Sequence, residues 1–283
     1  MSKIALVTDS ACDLPADIIT QYNIKVLPLK IIYGNQEFAD RVDIQPDEVY
    51  ERMPGQIPTT SMPSLQEIHH LLAAIRDEGF QQVLAVHISG GLSGTYEAVK
   101  LAAQDFKDMD IRVFDTRTLS IGQGFLVYEA ARDIEAGLSW ENICNNLINR
   151  QTKVSIYYVL ETLEYLKRGG RIGKVAAIFG EILHIKPIIS VGHDGKYFVY
   201  ARSRGRQQSI RALGEIVKKA ASSQRIRLAV MHGGAEAEAL KLKASLQELA
   251  NVVEVLFEQI SPALGVHTGP GLIGVCCMVV DNA

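Results

Sequence analysis

Three short stretches carry side chains whose types suit the capture of an anion. The first is VLAVHISGGLSGTY, residues 83 to 96, an apolar run that stops at two glycines and restarts with helical spacing. Val83 to Ile88 is β-branched and shows no polar alternation, which predicts a strand buried on both faces. Gly90 and Gly91 supply a sharp turn, and Tyr96, Val99, Leu101, Ala102 and Phe106 predict a helix from Ser93 to about Lys107. Ser93 then stands at or near a helix N-terminus. Unpaired N–H groups and the positive end of the helix dipole favour a phosphate or carboxylate there. A plain N-cap fits the same spacing, and both readings stay open.

The second stretch, IPTTSMPS at residues 57 to 64, is too rich in Pro, Thr and Ser for regular structure and reads as a loop. Turn chemistry is the ordinary use of such hydroxyls, yet Thr59, Thr60 and Ser61 have no evident local task. The third, SPALGVHTGPG at residues 261 to 271, places Pro and Gly on both sides of His267 and predicts a constrained loop before a final strand, Leu272 to Val280.

Sharper catalytic motifs fail on single residues. A phosphate-cradling P-loop needs Gly-Lys-Ser/Thr, and no Lys follows these glycines; a nucleophile elbow needs G-x-S-x-G, and Thr95 stands where the last glycine belongs. Ser93, Asp115 and His267 do follow the α/β-hydrolase order, so a serine esterase or thioesterase acting on lipid chains is the alternative function. It lacks an upstream oxyanion glycine motif, since Gly233-Gly234 comes too late in the chain. A nucleotide-binding regulator lacks a ribose-recognition signature.

The elements that would position these groups divide the chain in two. Ile4 to Val7 predicts a strand with Asp9 and Ser10 at its carboxyl end, as caps or as ligand contacts. Asp13-Leu14-Pro15 reads as an N-cap with Pro in the first helical turn, and Ser64 with Glu67 as a capping box opening a helix from Leu65 to about Arg76. Strand and helix alternate to about Asn149, which predicts a doubly wound, mainly parallel sheet. After residue 152 the pattern changes. IKPIISV and YFVYARS, joined across His193-Asp194-Gly195-Lys196, predict a hairpin, and a helix is expected over about Lys174 to Leu183. The fold class is therefore α/β with two domains, an N-terminal parallel unit (1–152) carrying the Thr60 and Ser93 stretches and a C-terminal mixed unit (153–283) carrying His267.

The 283 residues are 47% hydrophobic, enough for a substantial core, and the net charge of −3 does not point to nucleic acid or an anionic membrane as partner of the whole molecule. Cys12, Cys144, Cys276 and Cys277 show no metal-ligand spacing and predict buried free thiols; no metal or cofactor is expected. The MSKIALVTDS opening reads as a strand rather than a leader, and a cytoplasmic setting follows. Basic residues crowd positions 165 to 211. A solvated face is their common meaning, and docking of an acidic partner is the functional one. Interleaved aromatics and a recognised nucleic-acid module are absent from this segment.

TDSACDLP, PTTSMPS, SGGLSGTY, DTRTLSIGQG, LEYLKRGGRIG, KPIISV and GVHTGPG, in this order over essentially the whole chain, make the sequence resemble the DegV family, which includes the fatty-acid-binding subunits of bacterial fatty acid kinases. The resemblance implies a two-domain α/β protein holding one long-chain fatty acid, of the palmitate, stearate or oleate type, between its domains. It implies Thr60, Ser93 and His267 as carboxylate contacts, with Ser61, Met62 and Gly94 as further pocket residues. Met62 departs from the family's common Thr-Ser-Gln-Pro, which puts one polar contact and the chain-length preference in question. The chain would be a carrier without catalytic residues, presenting the carboxylate to a separate kinase for acyl phosphate formation, with transient membrane contact. Arg171 and Arg202 are candidates for contacts with that partner or with the phosphate.

That chemistry suits the side chains. A tail of about a dozen methylenes supplies on the order of 10 kcal/mol before ordering costs, and an unpaired carboxylate in an apolar tunnel is costly. Two hydroxyls, a helix start and an imidazole satisfy the head without Arg or Lys, whose ion pair would weaken it as a nucleophile.

Overall fold

The computed structural model describes residues 3–53, 55–181 and 185–280. Seven strands precede residue 116: β1 (Ile4–Asp9), β2 (Lys25–Leu27), β3 (Lys30–Tyr33), β4 (Gln36–Ala39), β5 (Thr59–Ser61), β6 (Gln82–His87) and β7 (Asp110–Asp115). Six follow residue 153: β8 (Val154–Val159), β9 (Ile185–Val191), β10 (Tyr197–Arg204), β11 (Ile226–Gly233), β12 (Val252–Gln259) and β13 (Leu272–Val279).

The first sheet, ordered β2-β1-β6-β7, is parallel throughout. Its apolar runs serve both faces because successive side chains point to opposite sides. Ala5, Val7, Val83 and Ala85 meet Ile68, Leu72 and Ile75 of helix Leu65–Asp77 and Val99 of helix Thr95–Ala103. Leu6, Leu84 and Val86 share the opposite core with Phe125 and Leu126 of helix Ile121–Glu135.

The second sheet, ordered β10-β9-β8-β13-β11-β12, is antiparallel except for the β11/β12 pair. One face packs Leu228, Val230 and Val275 beneath helices Arg206–Ala221 and Glu236–Leu246. The other contributes Ile156, Tyr158, Met231 and Cys276 to the core that contains Phe125. Helix Ile121–Glu135 thus touches β1 and β6 of one sheet and β8 and β13 of the other. A helix in that position must be largely apolar or small all round; its buried run from Ile121 to Val127 is so except at Gln123, whose Nε2 donates to Thr8 Oγ1 at 3.0 Å. All four cysteines are buried free thiols.

The parallel-then-mixed α/β fold, the capping box at Ser64 and Glu67, and the hairpin across residues 192–196 follow the sequence reading. Four local expectations change. Thr59–Ser61 is a strand, because its backbone completes a three-stranded antiparallel sheet, β4-β3-β5, pairing with Lys30–Ile32. Residues 262–268 form a helix, Pro262–Thr268, with Ser261 at the N-cap position and Pro262 at the first position, where its missing N–H costs nothing. Asp13 is not the cap of helix Ala16–Gln21; it lies buried in a left-handed conformation, and Pro15 holds the N-cap position. The helix expected from Lys174 is a 3-10 segment, Gly173–Glu181, and Leu183 lies outside the described residues.

Candidate functional site

Thr60 enters from the small sheet. The β3/β5 register sets Thr60 opposite Ile31, and its Oγ1 lies 2.7 Å from His267 Nε2, a contact spanning most of the chain. His267 is in the last turn of helix Pro262–Thr268, and its ring packs against Gly169, where any Cβ would collide with Nδ1. Nδ1 has no hydrogen-bond partner among the described residues. Burial, helped by the nearby Arg171 guanidinium, lowers the imidazole pKa from 6.5 to about 4, so the ring is neutral at pH 7. A neutral ring whose Nδ1 faces a glycine best carries its proton on Nε2, where an acceptor is in reach.

Ser93 lies one residue before the N-cap position, which Gly94 occupies. Its Oγ accepts from Thr95 N at 3.3 Å and lies 2.9 Å from Thr95 Oγ1, so a local capping role coexists with a place in the cavity wall. The turn is fixed from two sides. Gly90 N donates to Asp115 Oδ1 at 3.1 Å, and Ser89 Oγ donates to Gly195 O at 2.8 Å. Gly91 is needed because a Cβ there would sit 2.8 Å from Gly195 O and 2.9 Å from Asp194 O, so the β9/β10 turn docks directly on this loop.

These groups line one cavity of about 240 Å³ together with Ser61, Met62, Gly94, Leu92 and Arg171. Met62 closes against Gly94, where a Cβ would stand 3.0 Å from its Sδ. Arg171, a candidate for partner or phosphate contact, lies in the same wall as Thr60, Ser93 and His267. Its Nε donates to Leu92 O at 3.2 Å and its Nη1 to Gly169 O at 2.7 Å, leaving Nη2 without a hydrogen bond among the described residues. Arg202 is exposed on β10 and is not in the cavity wall. Sequence reading missed Leu29, Ile88, Tyr197, Ala263 and Leu264 in that wall; they are ordinary apolar positions with no signal of their own.

Tyr197 and Leu264 are shared with a second, narrow space of about 20 Å³, walled by Leu119, Ile156, Tyr158, Met231, Ile260 and Leu272 among others. A cavity of mixed polar and apolar lining and a narrow apolar crevice therefore stand back to back. The nucleophilic alternative is not assembled: Asp115 accepts from the backbone of Gly90 and Arg117, His267 faces Thr60, and no hydrogen bond joins Ser93 to His267. Among the described residues no cluster of His, Cys, Asp and Glu suits a metal ion.

A parallel and a mixed sheet around one buried helix, with a part-polar cavity beside a narrow apolar crevice, define an α/β protein of two sheets with one candidate ligand cavity between these walls. The chain matches the family model described as "Uncharacterised protein, DegV family" over residues 3–279, and it belongs to the DegV family. It is 41% identical over 275 residues to a DegV domain-containing protein of Clostridium acetobutylicum, covering 97% of this chain and 98% of that one. A DegV family protein from Thermus thermophilus, described for its fatty acid binding, superposes with a TM-score of 0.93 at 31% identity, covering 99% of this chain and 100% of that one. DegV of Bacillus subtilis, described as a fatty acid binding protein, gives 0.92 at 28% identity with the same coverage.

Proposed function

We propose that the protein binds one long-chain fatty acid, carboxylate at the Thr60, Ser93 and His267 side of the larger cavity and chain toward the apolar crevice, and presents the head to a separate ATP-dependent kinase. The observation that carries this reading is the pairing of the two spaces through Tyr197 and Leu264. The fatty acid binding described for the Thermus and Bacillus relatives supports it. Thr60 Oγ1, Ser93 Oγ and His267 Nε2–H orient the carboxylate, which then replaces the Thr60 to His267 contact with charge-assisted bonds. Arg171 adds a fixed positive charge, and its uncommitted Nη2 can reach toward the head or an arriving phosphoryl group. Each buried methylene contributes about 0.8 kcal/mol, so the crevice sets both affinity and chain preference, with side chains yielding to admit the tail.

In this reading the chain is a carrier serving fatty acid uptake and phospholipid metabolism in the cytoplasm. Among the described residues no helix is long and apolar enough to cross a membrane. The parallel sheet lies wholly before residue 152 and the mixed sheet wholly after it, which supports domains 1–152 and 153–283. Native mass spectrometry followed by denaturation tests the reading: a stoichiometric long-chain fatty acid is expected. An empty protein that also refuses added palmitate refutes it. Acyl phosphate formed from ATP and fatty acid by the purified chain alone would refute the division of labour with a kinase.

A further inference from the structure

The TDSACDLP stretch takes no part in the cavity wall, yet it supplies a buried carboxylate to the helix that carries His267. That helix starts at Ser261, a residue type that ordinarily caps with its own hydroxyl. Ser261 makes no such bond, and its Oγ is buried without a partner among the described residues. Acids from far away in the chain take the amides instead. Asp13 Oδ1 accepts from Ser261 N at 2.7 Å, and Asp40 Oδ1 accepts from Ala263 N at 3.3 Å. Asp13 also accepts from Arg41 Nη2 at 3.1 Å and, on Oδ2, from Ser120 Oγ at 2.5 Å. Arg41 Nη2 donates onward to Gln259 O at 2.6 Å, in the strand leading to the helix, and Ser10 Oγ donates to Asp40 Oδ2 at 2.6 Å.

Backbone strain gathers at the same point. Asp13, Arg41 and Ser120, with φ of 50°, 62° and 52°, are three of the five described non-glycine residues with positive φ, and all three meet at the Asp13 carboxylate. Such conformations cost stability and persist only where the surroundings fix them. At the far end of the helix, Gly169 leaves the His267 ring no space to retreat. A shift at Ser261 is therefore transmitted along two helical turns to the ring.

We propose that Asp13 is a positioning residue of the binding site: through Ser261 N, supported by Arg41 and Asp40, it sets the His267 helix so that Nε2 meets Thr60. The effect on a carboxylate ligand rests on the fatty-acid reading; the placement of the ring does not. The test compares parent, Asp13→Ala, Asp13→Asn and Ile75→Val as full-length chains. Its readouts are ¹⁵N-imidazole spectra of His267, assigned with His267→Gln, and binding of the fluorescent fatty acid cis-parinaric acid. Ile75 is a buried residue of helix Leu65–Asp77, on the far face of the parallel sheet, and its truncation lowers stability without touching this network.

Asp13→Ala is expected to weaken binding about tenfold, as the loss of a helix cap does, and to move the His267 resonances and titration toward those of an exposed histidine. Asp13→Asn keeps an acceptor for Ser261 N and suits a left-handed backbone, so it restores the ring signature and most of the affinity. Ile75→Val lowers the Tm and leaves both readouts as in the parent. If Asp13→Ala loses Tm but keeps the parent ring resonances and titration, the positioning role is overturned. Should Asp13→Ala fail to fold, Arg41→Gln takes its place, because it removes the bonds to Asp13 and to Gln259 O on which the placement relies; unchanged His267 resonances there overturn the proposal equally. A parent that takes up no probe refutes the fatty-acid reading, and the ring resonances still decide the role of Asp13.

Discussion

Gly169→Ala separates the site from the fold more cleanly than any change to the binding residues themselves. Gly169 has φ −75° and ψ −5°, a conformation that alanine adopts without strain. Backbone entropy even favours alanine there by about 0.4–1 kcal/mol. The new methyl, however, would collide with His267 Nδ1 and stand 2.7 Å from Cε1 and 3.2 Å from Cγ. Carbon contacts are comfortable only from about 3.5 Å, so the ring must retreat by about an ångström or more and Nε2 leaves the reach of Thr60. Overpacking of this kind costs about 1–3 kcal/mol, partly offset by the entropic gain, so the Tm should change little. Loss of a hydrogen bond to a carboxylate, at about 1.5–3 kcal/mol, should weaken fatty acid binding by about 10- to 100-fold. Fluorescent fatty acid displacement and thermal melts on the same preparations read both numbers. Parent affinity in Gly169→Ala would show that the His267 ring does not hold the head, and the site assignment would fail.

Thr60→Val keeps a β-branched residue in β5 and deletes only the hydroxyl facing His267; binding should weaken by about tenfold with little change in Tm. Gly91→Ala forces the β9/β10 turn away from the Ser89 loop and should cost about 1–3 kcal/mol, read as a lower urea midpoint. Asp40 and His267 should give opposite acid responses. Burial lifts Asp40 from 3.8 to about 7, so the folded state keeps a proton that the unfolded chain has released, and this contribution to stability falls as pH rises from 3.8 through 7. His267, lowered from 6.5 to about 4, makes the unfolded chain the better proton acceptor, so its contribution falls as pH drops from 6.5 toward 4. Asp40→Asn should therefore be more acid-sensitive than the parent in that window and His267→Gln less so, each by about 3–4 kcal/mol at most. Urea titrations across the window check both signs, and either sign reversed refutes the corresponding burial argument.

The sheets were legible because hydrophobic period and turn residues act locally: Ala5, Leu6 and Val7 already alternate toward their two helices, and Asp194-Gly195 already marks the hairpin. Thr60, Ser93 and His267 in the cavity wall were legible through motif resemblance, not through periodicity. What stayed hidden depends on long-range pairing. Thr59–Ser61 has no strand-like apolar pattern and is a strand because β3 offers it a free edge. The His267 helix is short, and Gly265 within it serves packing, since a Cβ there would stand 2.9 Å from Tyr50 Oη. The Ser-Pro start at Ser261 was a usable signal for that helix. Nothing adjacent in sequence could show that Asp13 would cap it across 248 residues, or that Arg171 would turn inward to the backbone of Leu92.

The last strand of the described chain, β13, lies in the interior of its sheet, between β8 and β11. During synthesis, β8 to β10 on one side and β11 with β12 on the other emerge before the strand that joins them. Until then the apolar faces that β13 will cover stay open to water or to other chains. His267 stands five residues before β13, on the segment that leads into this closing strand. A chain truncated before β13 should therefore leave β8 and β11 unjoined and the faces they share open.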